Sequence, residues 1–600
     1  MTFSRGTAGT GVQSSWRPQC RLSIQSGTFL LIIAFAIITS FPPRASAQAL
    51  QPAEQPRSIH GTVVNSVTKA PIGRALVSSP DNRFATLTDG EGHFEFVLPN
   101  ANPETESSST ISRPYETVFS SPVDNFWLTA RKPGFLDNQN EVRPTQVTPG
   151  ADLTLILFPE ALITGRVILS TNDAALGVDV ELFTREVQDG MPRWIRRGST
   201  RTNSNGEFRF AELGAGTYKL GTRELRDNDP AVTGPGGQQY GFPPVYFPGA
   251  ADFATAGTLQ VAAGQTVQAD ITLDRRPYYP VQVSVPNAEV NAGLNVTVSL
   301  AGHRGPGYSL GYNAQKGSIE GLLPNGHYLV EAATFGLHPA TGAVNLAVAG
   351  APAEGPDLML TVSSSVSLHV TEEFTGTEWN GTSNWNVNGR TFSVHGPRLY
   401  LQATIESEED LDRQRSAPLR PPTGPNDDSL VFENVAPGRY WLRLTSSRGY
   451  VAAATTGGVD LLHQPLVVSA GSSTPIEVKM RDDTAEIEGT IAGVAAEPAA
   501  AGGTVSQSPY GISAIPVYCI PLPDSSGQYQ QLWASGSDGK FDSSMMAPGT
   551  YRVLAFKSRQ PNLPFRDPEA MKAYDSKGQV VHLSSGEKAS VQLQIVPDSE

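Results

Sequence analysis

The sequence predicts an all-β protein, a tandem array of about five β-sandwich modules after an N-terminal signal peptide. Three observations carry that reading. A short motif returns roughly every 110 residues. Brief stretches alternate apolar and polar with period two between turn-forming dipeptides, the mark of strands with one buried face. Gly (58) and Pro (47) are scattered among these stretches, which fits many turns and few long helices.

In chain order, the first element is the export signal. No Asp or Glu precedes Glu54, and Arg5, Arg17 and Arg21 make the start positive. An apolar core occupies 29–41, and Ala45-Ser46-Ala47 follows as a small-residue cleavage pattern. A spanning helix needs ~20 apolar residues, so this core is short for an anchor. Cleavage near residues 48–50 is the expectation, and a retained anchor is its alternative. No later run is long enough to span a membrane, so the mature chain is expected to carry no span. Cys20 falls in the removed segment. Cys519 then stands alone in an apolar strand-like run and reads as a buried structural thiol, so no disulfide holds the modules together.

The rest of the chain suits packed cores, being 39% hydrophobic and 17% charged over 600 residues. A net charge of −14 disfavours nucleic acid and anionic lipid surfaces as partners. The recurring motif is an apolar residue, two small or Pro-containing positions, Gly, any residue, then Tyr. It appears at Leu213–Tyr218, Leu323–Tyr328, Val435–Tyr440 and Met546–Tyr551, with a degenerate first copy beginning at Leu98. Upstream stands a polar turn leading to an aromatic residue: Gly92 before Phe94, Gly206 before Phe208, Gly539 before Phe541. Modules open on Ile59-x-Gly61-x-Val63, Ile163-x-Gly165-x-Val167 and Ile487-x-Gly489-x-Ile491, and close on alternating strands at 152–157, 270–273, 476–480 and 591–595. The resulting division is a signal peptide at 1–49, then sandwiches at 50–160, 161–276, 277–363, 364–482 and 483–600. An extended rod is the expected arrangement. Only 567–574 reads as a short helix, with Asp567 before Pro at the first turn.

The order Ile-x-Gly-x-Val, Asp/Asn-Gly-x-Phe, Leu-x-x-Gly-x-Tyr resembles the carboxypeptidase regulatory-like domain as found in exported bacterial repeat proteins. The resemblance implies a transthyretin-like, Ig-like sandwich, also described as a carbohydrate-binding-like fold. It covers most of 57–600. Copies one, two and five match best, whereas copies three and four start at Val281 and Val366 without the opening glycine. The stretch 242–249 also looks like one found in exported bacterial proteins of this kind. The family's signature residues are structural, and peptidase members carry a separate catalytic domain, so the resemblance implies no catalytic residue here.

His369-x-x-Glu372 has the spacing of a zinc peptidase, but such a site needs a third ligand and a mixed α/β domain that this chain has no room for. No metal, no cofactor and no catalytic residue is therefore expected. The acidic clusters 408–410 and 427–428 lack the alternating oxygen spacing of a calcium loop and read as solvated turns. The functional hint is aromatic. Trp379 and Trp385 lie in a Gly/Asn/Ser/Thr-rich stretch read as a surface loop, where flat rings beside amides suit carbohydrate binding. The other reading is that the two rings clasp the loop onto its own sandwich. Tyr240, Phe242, Tyr246 and Phe247 form a second cluster, read as an inter-module clamp.

The expected function is that of an exported, non-catalytic interaction or scaffold protein of the envelope or exterior, facing periplasm, outer surface or medium. The alternative is polysaccharide binding through Trp379 and Trp385, and the remote alternative a secreted hydrolase. The partner is then a polysaccharide or another envelope protein.

Overall fold

The computed structural model describes residues 58–596 apart from 80–83, 98–126, 138–144, 147–151, 228–236, 290–292, 337–338, 377–380, 388–389, 409–415, 425, 470, 472–473, 494–514, 524, 526 and 537. The chain is all-β, and one wiring plan recurs five times along it. In each copy the opening strand lies in the middle of a sheet. A later strand of the same copy pairs antiparallel on one side and the closing strand pairs parallel on the other. Ser58–Asn65 sits between His93–Val97 and Asp152–Leu157. Ala161–Leu169 sits between Glu207–Leu213 and Thr266–Gln268. Arg276–Ser284 lies between Ser318–Pro324 and Ala353–Glu354, and Ser364–Glu373 between Leu430–Val435 and Ile476–Arg481. Ala485–Ile491 completes the series between Lys540–Met546 and Lys588–Leu593. Because first and last strands run parallel, each sandwich is entered at one end and left at the other. Successive copies therefore follow one another without long crossovers.

In copies two to five the second sheet contains the strand that begins at the motif glycine: Gly216–Thr222, Gly326–Thr334, Gly438–Ser446 and Gly549–Phe556. The two sheets close over a core in each copy. The five cores are drawn from separate stretches, 59–157, 161–273, 281–360, 366–480 and 485–593. Inward positions alternate as the sequence pattern requires. In Asp152–Leu157, for example, Leu153, Leu155 and Leu157 are buried and their neighbours exposed.

The opening glycine and the aromatic after the turn are one device. Gly61 is the cross-strand partner of Phe94, Gly165 of Phe208 and Gly489 of Phe541. A Cβ on these glycines would stand 2.8, 2.7 and 2.4 Å from the facing ring's Cζ atom. The aromatic ring therefore lies across the bare glycine backbone, and any side chain there would displace it. Copies three and four open without the glycine. There Val281 faces Gly321 and Ser367 faces Val431.

Two features depart from a simple string of beads. Gln239–Phe242, within the stretch assigned to the second module, pairs with Arg276–Ser284 and so extends the third module's sheet. The hairpin of Asp179–Gln188 and Met191–Arg201 reaches residues of the fourth and fifth sandwiches, as described below. The one α-helix among the described residues, Pro568–Met571, runs into a 3-10 turn at Lys572–Tyr574. Asp567 caps it, accepting from the Glu569 and Ala570 amides.

Candidate functional site

The most recurrent residues are the motif tyrosines, and they are spent on structure. Each hydroxyl donates to the carbonyl four residues upstream: Tyr218 to Gly214 at 2.8 Å, Tyr328 to Pro324 at 2.8 Å, Tyr440 to Ala436 at 2.7 Å and Tyr551 to Ala547 at 2.6 Å. The rings are buried and close the corner that the motif turns. The Gly between carbonyl and Tyr leaves room for that corner. At Gly549 a Cβ would come within 2.4 Å of Ser525 Oγ.

Trp379 lies outside the described residues. Trp385 belongs to Ser383–Val387, which pairs with Arg390–Val394 and sets Trp385 opposite Phe392. The expected loop is thus a hairpin at this position, because 383–387 and 390–394 both alternate around Asn388-Gly389.

The zinc-like pair is split by strand geometry. His369 and Glu372 sit three apart in Ser364–Glu373, so their side chains leave opposite faces of the sheet. His369 Nδ1 lies 3.1 Å from Glu477 Oε1, and Glu372 accepts from the Tyr400 hydroxyl at 2.5 Å. Among the described residues no group of three or more His, Cys, Asp or Glu is placed to hold a metal. Asp427 accepts from Arg420 Nη1 at 2.6 Å and from Thr423 and Ser429. The Arg420 bond leads in holding its carboxyl far below the usual range. Asp428 accepts the His395 amide at 2.6 Å. This acidic pair is therefore occupied by the chain itself. Cys519 is fully buried, and burial pushes its thiol up to about 12, which keeps it out of nucleophilic chemistry.

A cavity of about 190 Å³ lies along the opening strand of the fourth sandwich. Ser367 and His369, with Val431 and Ser429 across the strand pair, share its outward face. Pro397 and Asp428 wall it. It is smaller than the ~300–1,000 Å³ of small-molecule pockets, so it suits a single protruding group rather than a whole ligand.

Of the second aromatic cluster, Phe242 and Phe247 pack on the second sandwich's own core, and Tyr246 reaches the third module. Tyr246 packs with Phe183, Trp194 and Phe253 on the second sandwich, and its hydroxyl lies over Gly305 of the third. Lys219 stands between Trp194 and Phe253, 5.0 and 4.7 Å from the ring centres, and donates to the Phe253 carbonyl at 2.8 Å.

Sequence reasoning missed the contact farthest apart in the chain. The carboxylate of Asp189, at the tip of the 179–201 hairpin, lies 2.6 Å from Arg443 Nε and 3.2 Å from Arg566 Nη2. Arg443 also faces Glu406 at 3.4 Å. The Arg566 amide donates to the Gly190 carbonyl at 3.0 Å. Arg193, buried, donates to the Ser407 carbonyl at 3.0 Å. Burial, followed by repulsion from Arg443, draws the Arg566 guanidinium below its usual range. The Asp-Gly turn was a legible signal for the hairpin, whereas its docking partners carry no local signal.

No protein-family model matches this chain. No curated protein matches it either. Among solved structures it is similar to the Bacillus anthracis TIE protein, at 11% identity over 71% of this chain and 68% of that one, TM-score 0.15. It is also similar to the full-length RrgB pilus protein from Streptococcus pneumoniae, at 9% identity over 74% and 98% of the two chains, TM-score 0.14. BcpA, the major pilin subunit of Bacillus cereus, matches at 9% identity over 54% and 99%, TM-score 0.12. At such scores the likeness assigns this chain no function.

Proposed function

We propose that this chain is an exported, non-catalytic interaction or scaffold protein of the cell envelope or exterior, built from carboxypeptidase regulatory-like modules. One observation supports this above all. The residues that recur, the glycine with its facing aromatic in copies one, two and five and the corner tyrosine in copies two to five, are consumed by packing and hydrogen bonds inside their own sandwich. A repeat whose recurring content is structural supplies spacing and surface rather than reacting groups. The N-terminal charge, apolar core and Ala45-Ser46-Ala47 pattern support export. Among the described residues no helix is long and apolar enough to cross a membrane.

A second reading, polysaccharide binding, is favoured by the cavity on the outer face of the fourth sandwich. It lies next in sequence to the hairpin that bears Trp385. Affinity electrophoresis of the mature chain against a panel of soluble polysaccharides separates the readings. Retardation by one polymer, lost on combined Trp379→Ala and Trp385→Ala, would establish sugar binding. Retardation by none, together with crosslinking to a discrete envelope protein, is the outcome expected of a scaffold. Turnover of peptidase, esterase or glycosidase substrates that vanishes with His369→Ala would overturn the non-catalytic reading.

A further inference from the structure

The hairpin of Asp179–Gln188 and Met191–Arg201 is longer than its own sandwich needs. The strand Gly216–Thr222 pairs with residues 180–184 of it and no further. From Arg185 to Trp194 the two strands pair only with each other, Arg185 with Trp194 and Gln188 with Met191. A two-stranded ribbon is marginal in water by itself, so an arm of this kind needs something to dock against. Its tip is preorganised for docking. Asp189 and Gly190 both take positive φ, 46° and 76°, as a tight primed turn requires.

We infer that this arm is an electrostatic latch. It holds the second sandwich to the fourth and the fifth through Asp189, and it releases that sandwich when the charge is screened or reversed. Asp189 is the shared counter-ion of two arginines from different sandwiches, Arg443 in the fourth and Arg566 in the fifth. Only 13% of the Arg443 side chain is exposed, which sharpens the requirement for a facing carboxylate. The second anchor is polar too, the buried Arg193 on the Ser407 carbonyl. Beside these polar contacts Gly190 lies against the Phe565 ring, which stacks on Tyr529 at 3.7 Å. The second sandwich's own core lies apart from it. A joint dominated by ion pairs and backbone bonds, without a common hydrophobic core, separates without unfolding either side.

The test uses the mature chain with spin labels on Glu186→Cys and Asn562→Cys. Both positions are exposed and flank the joint, while native Cys519 is buried and stays unlabelled. Electron–electron distance measurement at low salt is expected to give one narrow short distance. That distance should broaden and lengthen in 1 M salt, where the Debye length falls to ~3 Å. Asp189→Arg should give the broad distribution already at low salt, whereas Asp189→Glu, which keeps the charge facing both Arg443 and Arg566, should leave the narrow one. A broad distribution in the unsubstituted arm at low salt would overturn the latch. So would a narrow one that neither salt nor Asp189→Arg changes. Asp189→Asn, which removes the charge at nearly constant size, should also broaden the distance, and it decides the matter where Asp189→Arg impairs folding.

Discussion

The corner tyrosine shows how little of a side chain the repeat needs. In the fifth sandwich the Tyr551 hydroxyl donates to the Ala547 carbonyl at 2.6 Å and accepts the Gln528 amide at 3.1 Å, all beneath a ring that is 0% exposed. Tyr551→Phe keeps the packing and orphans both backbone groups, so a loss of about 1–3 kcal/mol in that sandwich is expected in denaturant unfolding. A loss near zero would mean that water replaces the hydroxyl and that the corner is held by the ring alone. Glu224 presents the opposite case, a buried acid poorly compensated. One carboxylate oxygen accepts the Ser309 amide at 3.0 Å and faces Arg226 at 3.5 Å. The other oxygen, like the hydroxyl of Tyr278, is buried without a hydrogen-bond partner. Burial raises the Glu224 pKa, with Arg226 the leading opposing influence. A raised folded value means that the native state binds the proton more tightly than the unfolded chain does. Its stability contribution is therefore fully present below the ordinary value of about 4.3 and is lost as pH rises through the raised value. Glu224→Gln should melt above the parent at pH 8, and the gap should close as pH falls towards 4. A variant that melts lower at every pH would show that the Arg226 pairing outweighs the burial.

Elements were legible where their cause is local. Opening strands, the turn before the aromatic and the helix capped by Asp567 all follow from neighbours a few residues apart. The all-β class rests on that local signal repeated many times. Three things were hidden because their causes are distant or ambiguous. Polar residues around Trp385 look like a loop, yet alternation about Asn388-Gly389 makes a hairpin, and composition outweighed periodicity in the reading. Gln239–Phe242 joins the third module's sheet through pairing with Arg276–Ser284, and nothing in either segment names the other. The partners of Asp189 stand at 443 and 566, so no periodicity within one module points to them. The zinc-like His369-x-x-Glu372 shows the converse. Its spacing suits one face of a helix, and its strand location puts the two side chains on opposite faces.

At the scale of the molecule, the question is whether five cores mean five unfolding units. Each core is built within one stretch of chain and none is shared. Contacts between copies are strand additions, aromatic clamps and ion pairs. We propose that the stretches 50–160, 161–276, 277–363, 364–482 and 483–600 melt as separate units whose coupling is set by those contacts. Phe432 is fully buried in the fourth core, and Phe432→Ala should cost that core about 3–5 kcal/mol. Calorimetry in 1 M salt is expected to show one transition moving down sharply while the others stay in place. At low salt the transitions of the second and fifth sandwiches should move with it, because Asp189 then ties all three together. One sharp transition that falls as a whole at both salt concentrations would show that the chain unfolds as a single body. The boundaries between copies would then mark repeats of sequence and wiring rather than units of stability.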